Sequence, residues 1–443
     1  MHFSLVSLFS EFFASPMQQG LMGRAIEAGL VSYAVHNPRD FSTDKHNKVD
    51  DRPYGGGPGM VMLPQPLADV LLHLGHPVRE AGAPRPLPSP ARPLVYLSPK
   101  GKPLSQALAR KLTAAKDITL VCGRYEGIDA RIEDLFAVEC VSVGDFVLNG
   151  GEAAALCFME SVARLVPGYM GDEESGTEES FSSGLLEYPH YTRPVEFYGL
   201  SVPEVLRGGD HGKVARWRRE RALETTLAVR PDIIGEAPLG AEDYAFLQEK
   251  PLQRIGKNLY CALVHYPVLD KWKNSVAVSL TNLDIHDISR SSCTFGLGGY
   301  YVVTPIQDQQ RLLESLLRHW HEGAGKQSNP HRDEALSLVT GVASLEEAIQ
   351  DITSQCGAAP LVVGSSARAE AESQKAIGFL GVREVLEERP VLLLLGTGHG
   401  LAPEACGLCE KFLPPFRWHG RYNHLSVRAA AAIMMDRILG DWC

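Results

Sequence analysis

Three clusters in this 443-residue chain have the residue types to do chemistry. The first is "DDRPYGGGPGM", where Asp50, Arg52 and Tyr54 stand beside Gly55, Gly56 and Gly57, and a fourth glycine follows at position 59. Consecutive glycines add freedom that folding must remove and offer nothing to pack, so the stretch reads as a loop shaped for close approach. A phosphate-cradling P-loop would end in Gly-Lys-Ser/Thr, whereas Met60 and Val61 follow Gly59, and no strand, G-x-G-x-x-G and helix surround it. A tight surface turn is the alternative. The second cluster is "GKVARWRRERALETTLAVRPD", a helix closed by Pro231, in which Arg216, Trp217 and Arg219 suit phosphate contact and stacking on a base. A solvated amphipathic face is its plainer reading. The third is the pair Cys406 and Cys409, which has no second C-x-x-C behind it and therefore reads as packed thiols rather than a zinc or redox site.

The elements that must position these residues follow from the apolar pattern. "LVYLSP", "ITLVCG", "PLVVGS" and "PVLLLLGTG" are near-continuous apolar runs, as expected of parallel strands covered by helices on both faces, so the fold class is α/β. Ligands of such sheets bind beyond the carboxyl ends of the strands, which puts "SPKG", "GRYEGID" and "GTGHG" at candidate sites. The length predicts two or three domains. "HPVREAGAPRPLPSPARP" reads as a surface insertion, "PGYMGDEESGTEES" as a linker or lid, and strand pattern begins afresh after "QEKPLQRIGKN". The resulting division is 1–166, a linker at 167–180, a helical segment at 181–250, and 256–443. An order recurs across it: 27 residues separate the strand-end Gly123 from Gly150 and 24 separate Gly396 from Gly420, each followed by an alanine-rich helix. Two copies of one fold are expected, with chance similarity of two α/β units as the alternative, since side-chain identity is slight.

No apolar run approaches the roughly 18 residues of a membrane span, and the amino terminus lacks the features of a secretion signal, so a cytoplasmic protein with no membrane partner is expected. Most of the nine cysteines, such as Cys122, Cys157 and Cys261, sit in apolar or helical settings, which fits a reducing compartment. A net charge of -10 means that a polyanion must be met by a local basic patch, which the arginine-rich helix supplies.

"NPRDF", "DDRPYGGGPGM", "YLSPKG", "CGRYEGID", "SVGDFVLNGGE", "ESFSSGLLEYPHYTRP" and "RWRRERALETTLAVRPD", in this order over residues 1 to 250, resemble the bacterial tRNA (guanine-N1)-methyltransferase family of the SPOUT class. The resemblance implies a trefoil-knotted parallel sheet, a homodimer formed through the knotted domain, and methylation of N1 of guanosine 37 of tRNA, next to the anticodon, with S-adenosylmethionine as donor. It places the donor against Tyr96, Leu97, Ser98 and Pro99, against Gly123, Tyr125, Glu126 and Gly127, and against Val143, Gly144, Asp145, Phe146, Val147, Leu148, Gly150 and Gly151. It makes Asp50, Arg52, Tyr54 and the glycines at 55, 56 and 57 the surroundings of the flipped guanosine. The family's proposed base is an aspartate in Asp-Ser-Phe, and that position here reads Glu179-Ser180-Phe181, a carboxylate on an arm one methylene longer, with Glu178 beside it. Arg164 corresponds to the family's catalytic arginine, and capping of a helix carboxyl end is its structural alternative. No metal ligands are implied.

Residues 256 to 443, with "TNLDIHDISRSSCTFG", "LLLLGTGHGL" and "GRYNHLSVRAAAAI", resemble a second SPOUT-type methyltransferase domain. Gly396, Gly398, Gly400 and Asn423 are its implied donor site, with Arg290, His399 and His424 as further candidates. A tRNA-binding or assembly protein that keeps only the SPOUT shell is the alternative function. A phosphotransferase lacks its Walker lysine and its metal carboxylates.

Overall fold

The computed structural model describes residues 1–80, 82–170, 179–249, 255–365, 375–416 and 424–440; Glu178, Gly420 and Asn423 lie outside them, as does most of the 167–180 linker. The chain divides into two compact units, Met1–Arg193 and Pro194–Cys443, so the helical segment belongs with the second unit from Pro194 onward.

The first unit is built on β1 (His2–Val6), β2 (Ser32–His36), β3 (Leu94–Pro103), β4 (Asp117–Cys122) and β5 (Val138–Ser142), in the order β2-β1-β4-β3-β5. Every pair is parallel, with Leu5 opposite both Val35 and Leu120. Strand alternation sends Phe3, Leu5, Ile118 and Leu120 into one core with Phe158 and Met159, and sends Val6, Tyr96 and Val121 into the other with Ile132 and Phe136. Burial of both faces explains why these strands read as continuous apolar runs. The helix α1 (Glu152–Ala163) follows β5 and buries Ala154, Ala155, Phe158, Met159 and Val162, a stripe at helical spacing. In the insertion between His76 and Pro93 the described residues form neither strand nor helix, and its ends are tied by His76 to Thr119 at 2.8 Å and by Arg92 to Asp117 at 3.2 Å.

In the second unit the arginine-rich helix α2 (His211–Val229) starts at Asp210, whose carboxylate accepts from the Lys213 amide at 3.1 Å, and stops before Pro231. The sheet that follows contains β6 (Leu259–Val264), β7 (Gly299–Val303), β8 (Val339–Val342), β9 (Leu361–Ser365), β10 (Val391–Gly396) and β11 (Lys411–Leu413), in the order β8-β7-β6-β10-β9-β11 and parallel throughout. Without the edge strand β8, this order is that of the first sheet, strand for strand. The strand ending at Cys122 and the strand ending at Gly396 hold the same place, so the repeat expected from sequence is present in the topology. Helices α3 (Asn282–Thr294) and α4 (Gln307–His321) follow β6 and β7, and α5 (Val427–Ile438) closes the chain as α1 closes the first sheet. Among the described residues no helix is long and apolar enough to cross a membrane.

Candidate active site

The glycine loop is a hairpin tip. Asp50 and Asp51 pair antiparallel with Met62 and Val61, and Gly55, Gly56, Gly57 and Gly59 carry φ of +88°, +79°, +115° and +85°. A Cβ at 55, 56 or 57 would meet nothing, so these three glycines are required by left-handed backbone and not by close approach of another part of the chain. Gly59 differs, since its Cβ would fall on the Glu126 side chain. Tyr54 is fully exposed, Arg52 is exposed, and Lys48 pairs with Asp51 at 2.9 Å, which holds that carboxyl below its usual range. The base of the hairpin is stitched to the loop after β4: the Glu126 amide donates to Met60 at 2.9 Å and the Met62 amide to Gly127 at 2.9 Å.

The strand-end loops meet in the same place. Tyr96 is buried and its ring lies under Gly123 and Gly127, where a Cβ would come within 2.8 and 3.1 Å of it, so Tyr96 and Leu97 form the floor of the site from within the core. Burial pushes the Tyr96 phenol up. The Gly151 amide donates to Gly123 at 3.0 Å, and a Cβ at 151 would stand 2.6 Å from the Cys122 Cα. Arg124 and Gly150 form an isolated antiparallel bridge, so loop 143–151 lies across loop 123–127. Tyr125 has φ +59°, costly for an aromatic residue. Asp145 to Asn149 are exposed, among them the apolar Phe146, Val147 and Leu148.

Sequence reasoning missed the group that joins these loops. Glu152, the first residue of α1, is buried, accepts from the Ser7 hydroxyl at 2.7 Å and pairs with Arg124 at 2.9 Å; the Arg124 guanidinium also covers the Phe9 ring at 4.3 Å. The Arg124 Nε is buried with no partner among the described residues. The available signal was a carboxylate opening an otherwise apolar helix, "GGEAAALCFM".

Arg164 and Glu179 form a second group. Arg164 caps the carboxyl end of α1, and its guanidinium donates to the Glu179 carboxylate at 2.5 Å. Arg164 thus holds the carboxyl-cap position of α1 while its side chain is engaged with Glu179. The turn around Glu179 is held by the Ser182 amide on the Glu179 carbonyl at 3.1 Å and by the Arg110 guanidinium on the Ser182 hydroxyl at 3.2 Å, and Phe181 has φ +69°. This pair is not near the glycine loops of its own chain. The helix α1 begins beside Gly151 and runs 12 residues to Arg164, a rise of about 18 Å toward the amino ends of the strands. There Gly168 faces Leu30, whose carbonyl binds the amino terminus at 2.8 Å.

On α2, Arg216 is exposed and, among the described residues, pairs with Glu220 in an i,i+4 contact at 2.9 Å, a weak surface interaction. Arg219 instead grips Asp243 at 3.2 and 2.9 Å and the Pro238 carbonyl at 3.0 Å, which ties α2 to the short helix Ala241–Glu249. Trp217 is half-buried on the same helix.

In the second unit the loop after β10 repeats the stitched arrangement. The His399 amide donates to Leu269 and the Leu269 amide to Gly400, each at 2.9 Å, while a Cβ at Gly396 would stand 2.8 Å from the Leu401 amide nitrogen. Gly398 and Gly400 have φ of +59° and +106°. The Cys406 and Cys409 sulfurs lie 3.9 and 3.5 Å from the backbone carbonyls of Leu401 and Ala405, and burial pushes the Cys409 thiol up to about 12, as suits a packed residue. Among the described residues no cluster of three metal-ligating side chains occurs.

Comparison with known proteins also finds two parts, with the helical segment up to residue 236 joined to the first part rather than to the second. Residues 1–236 match the family described as tRNA (Guanine-1)-methyltransferase TrmD, and residues 258–440 match one described as SAM-dependent RNA methyltransferase. Proteins named tRNA (guanine-N(1)-)-methyltransferase from Oleidesulfovibrio alaskensis and Nitratidesulfovibrio vulgaris are 58% and 57% identical to it over 441 residues, each covering all of both chains. One of the same name from Geotalea uraniireducens is 44% identical over 255 residues, which are 58% of this chain and 98% of that protein.

Proposed function

The chain belongs to the tRNA (guanine-1)-methyltransferase family, and from that premise we propose how its residues share the methylation of N1 of guanosine 37 of tRNA. S-adenosylmethionine, when bound, supplies an electrophilic methyl group, so the enzyme needs no nucleophile of its own. Its holders are the loops 96–99, 123–127 and 143–151. Two features support the fit: Gly123 and Gly151 let the loops pack directly on Tyr96 and Cys122, which fixes the loops against the strand ends, and the buried Arg124 Nε lacks an acceptor among the described residues.

Guanine N1 carries a proton and attacks only as that proton leaves. Glu179 takes it, and Arg164 holds the charge that moves onto O6. The 2.5 Å pair orients both groups before the base arrives, which lowers the reorganisation left to the reaction itself. The hairpin at Asp50 to Gly57, with open space beside its glycines, receives the unstacked guanosine, and its contacts offset the few kcal/mol of unstacking. Arg216 and Trp217 are assigned to the tRNA backbone and a stacked base. Arg219 is assigned to the fold of the helical segment.

Two copies are needed to assemble this site. Arg164 and Glu179 stand about 18 Å along α1 from Gly151, while methyl transfer requires the reacting atoms about 3 Å apart, so donor loops of one copy must meet the pair of the other. The exposed Phe146, Val147 and Leu148 support such a homodimer, as an apolar ridge that a partner would cover. Loop 143–151 crossing loop 123–127 before α1 supports the knotted path. We place the reaction in the cytoplasm, where its tRNA substrate is found and where packed thiols such as Cys122 and Cys261 remain reduced.

The second sheet is read as another donor-binding RNA methyltransferase domain, supported by the shared strand order and by the glycines at 396, 398 and 400. The Arg164–Glu179 pair carries the reading of the first domain. Its test is methyl transfer to a tRNA transcript with guanosine 37 against one with adenosine there, read by primer extension, since N1 methylation blocks base pairing. Equal methylation of both transcripts would overturn the assignment.

A further inference from the structure

The second unit has a groove of about 710 Å³ between α3 and α4 that the proposed chemistry does not use. Its apolar wall is Leu283 and Leu312, both more than half exposed, and its end is Trp320, edged by His286 at 5.7 Å and covered by Arg332 at 4.7 Å. Arg290 is exposed on its rim. The carboxylate in the lining, Asp287, already pairs with Arg428 at 3.0 Å, and among the described residues no carboxylate pairs with Arg290 or Arg332. In a chain of net charge -10, this is a local cationic groove with aromatic and aliphatic walls.

We propose that this groove binds an unpaired RNA segment and leads it to the loop after β10. The proposal rests on the reading that residues 256–443 act on RNA. Unpaired strands are bound without base pairing by cations that track phosphates and by flat or apolar surfaces that receive bases, and both are present here. The stretch of α3 from Asn282 to Arg290 is about 12 Å long, enough for about three stacked nucleotides. The segment leading into the groove passes the glycine loop: Val278 lies 3.6 Å from where a Cβ on Gly398 would stand, and Asn282 lines the groove four residues later. The Leu280 amide on the Gln309 side chain at 3.0 Å fixes that link against α4. A strand held on Arg290 and Arg332 therefore continues toward Gly398.

The test uses the full chain carrying Arg216→Ala, which weakens the tRNA helix of the first domain, and an octauridylate containing 5-iodouridine. Photo-crosslinks are expected in the peptide containing His319 and Trp320. Arg290→Glu should weaken octauridylate binding at least fivefold, and Arg290→Ala should lower the salt slope by about 0.7, as loss of one single-strand phosphate contact does. Unchanged affinity and slope in both variants, or no binding of the probe, would overturn the proposal. Crosslinks confined to 396–401 would remove the groove while keeping RNA as this domain's substrate, and crosslinks absent from 256–443 would remove both. If Leu312→Asp halves the mass in sedimentation and leaves RNA binding intact, the groove is a contact between copies of the chain instead.

Discussion

The Arg164 guanidinium and the Glu179 carboxylate meet at 2.5 Å, at the end of α1 opposite the glycine loops of the same chain. Removing the negative charge while keeping the shape isolates its role. Glu179→Gln is expected to lower the methyl-transfer rate at least 100-fold while donor and tRNA affinities stay within threefold, because the amide still accepts from Arg164 but cannot take a proton. A rate within a few-fold of the parent would pass the role to Glu178.

If the site is shared between copies, two inactive chains can repair one another. Glu179→Gln lacks the base, and Gly151→Val lacks the donor cradle, since its side chain would run into the Cys122 backbone. A mixture of the two, unfolded together and refolded, contains heterodimers in which one of the two sites is intact. Recovery toward one quarter of parental activity is expected, from half of the dimers carrying one good site of two. No recovery in a mixture shown by mass to contain heterodimers would place donor loops and base in one chain.

The two arginines on α2 should separate. Arg216→Ala is expected to leave thermal stability unchanged and to reduce the salt slope of tRNA binding by about 1. Arg219→Ala breaks the bidentate grip on Asp243, whose carboxyl Arg219 holds below its usual range, and should lower the melting temperature of the helical segment. Because that carboxyl is held down in the folded state, its contribution is present above the unfolded value near 4 and is lost as pH falls further. An equal loss of tRNA affinity and no loss of stability in Arg219→Ala would return it to the RNA surface.

What the sequence revealed followed from period and punctuation. The four apolar runs marked β3, β4, β9 and β10, and Pro231 marked the end of α2, while its start at Asp210 came from the structure. Strand order could not be read that way, because the pairing of His2 with Asp117 joins residues far apart in the chain. The same applies to Glu152 and Arg124, whose meaning comes from Ser7 and Phe9 arriving beside them across the fold. The glycines at 55 to 57 were identified as a loop, but whether a neighbour or a backbone angle required them depends on φ, which composition does not contain. Arg164 and Glu179 were identified as partners in chemistry, while their distance from the donor loops is a property of helix length.

His265, just past β6, is buried with both ring nitrogens unpartnered among the described residues, and burial lowers its pKa from 6.5 to about 4. The imidazole is neutral when folded and gains a proton on unfolding at any pH between these values. Stability should therefore fall as pH drops from 6.5 toward 4, by up to about 3 kcal/mol. In His265→Leu the acid limb of the second unit's thermal transition should flatten, with little change at pH 7.5, because the lost nitrogens made no hydrogen bond. An acid limb identical in both proteins would show that another group governs it.

The two halves of the chain should also separate in function. A chain ending after Glu249 retains the donor loops, the Arg164–Glu179 pair and α2, and its length is close to that of the Geotalea relative, which is matched over 255 residues. It is expected to methylate guanosine 37 at a rate within a few-fold of the full chain. Calorimetric titration of S-adenosylmethionine should give two sites per full chain and one per truncated chain. In the full chain, Gly400→Val should remove one site, because a β-branched residue cannot hold the φ of +106° that presents this loop, while methylation of guanosine 37 stays unchanged. Position 400 is preferable to 396, where any side chain would dislodge Leu401 and with it the seat of the loop on Leu269. A single site in the full chain, unaffected by Gly400→Val, would mean that the second sheet binds no donor and keeps only the architecture of the first.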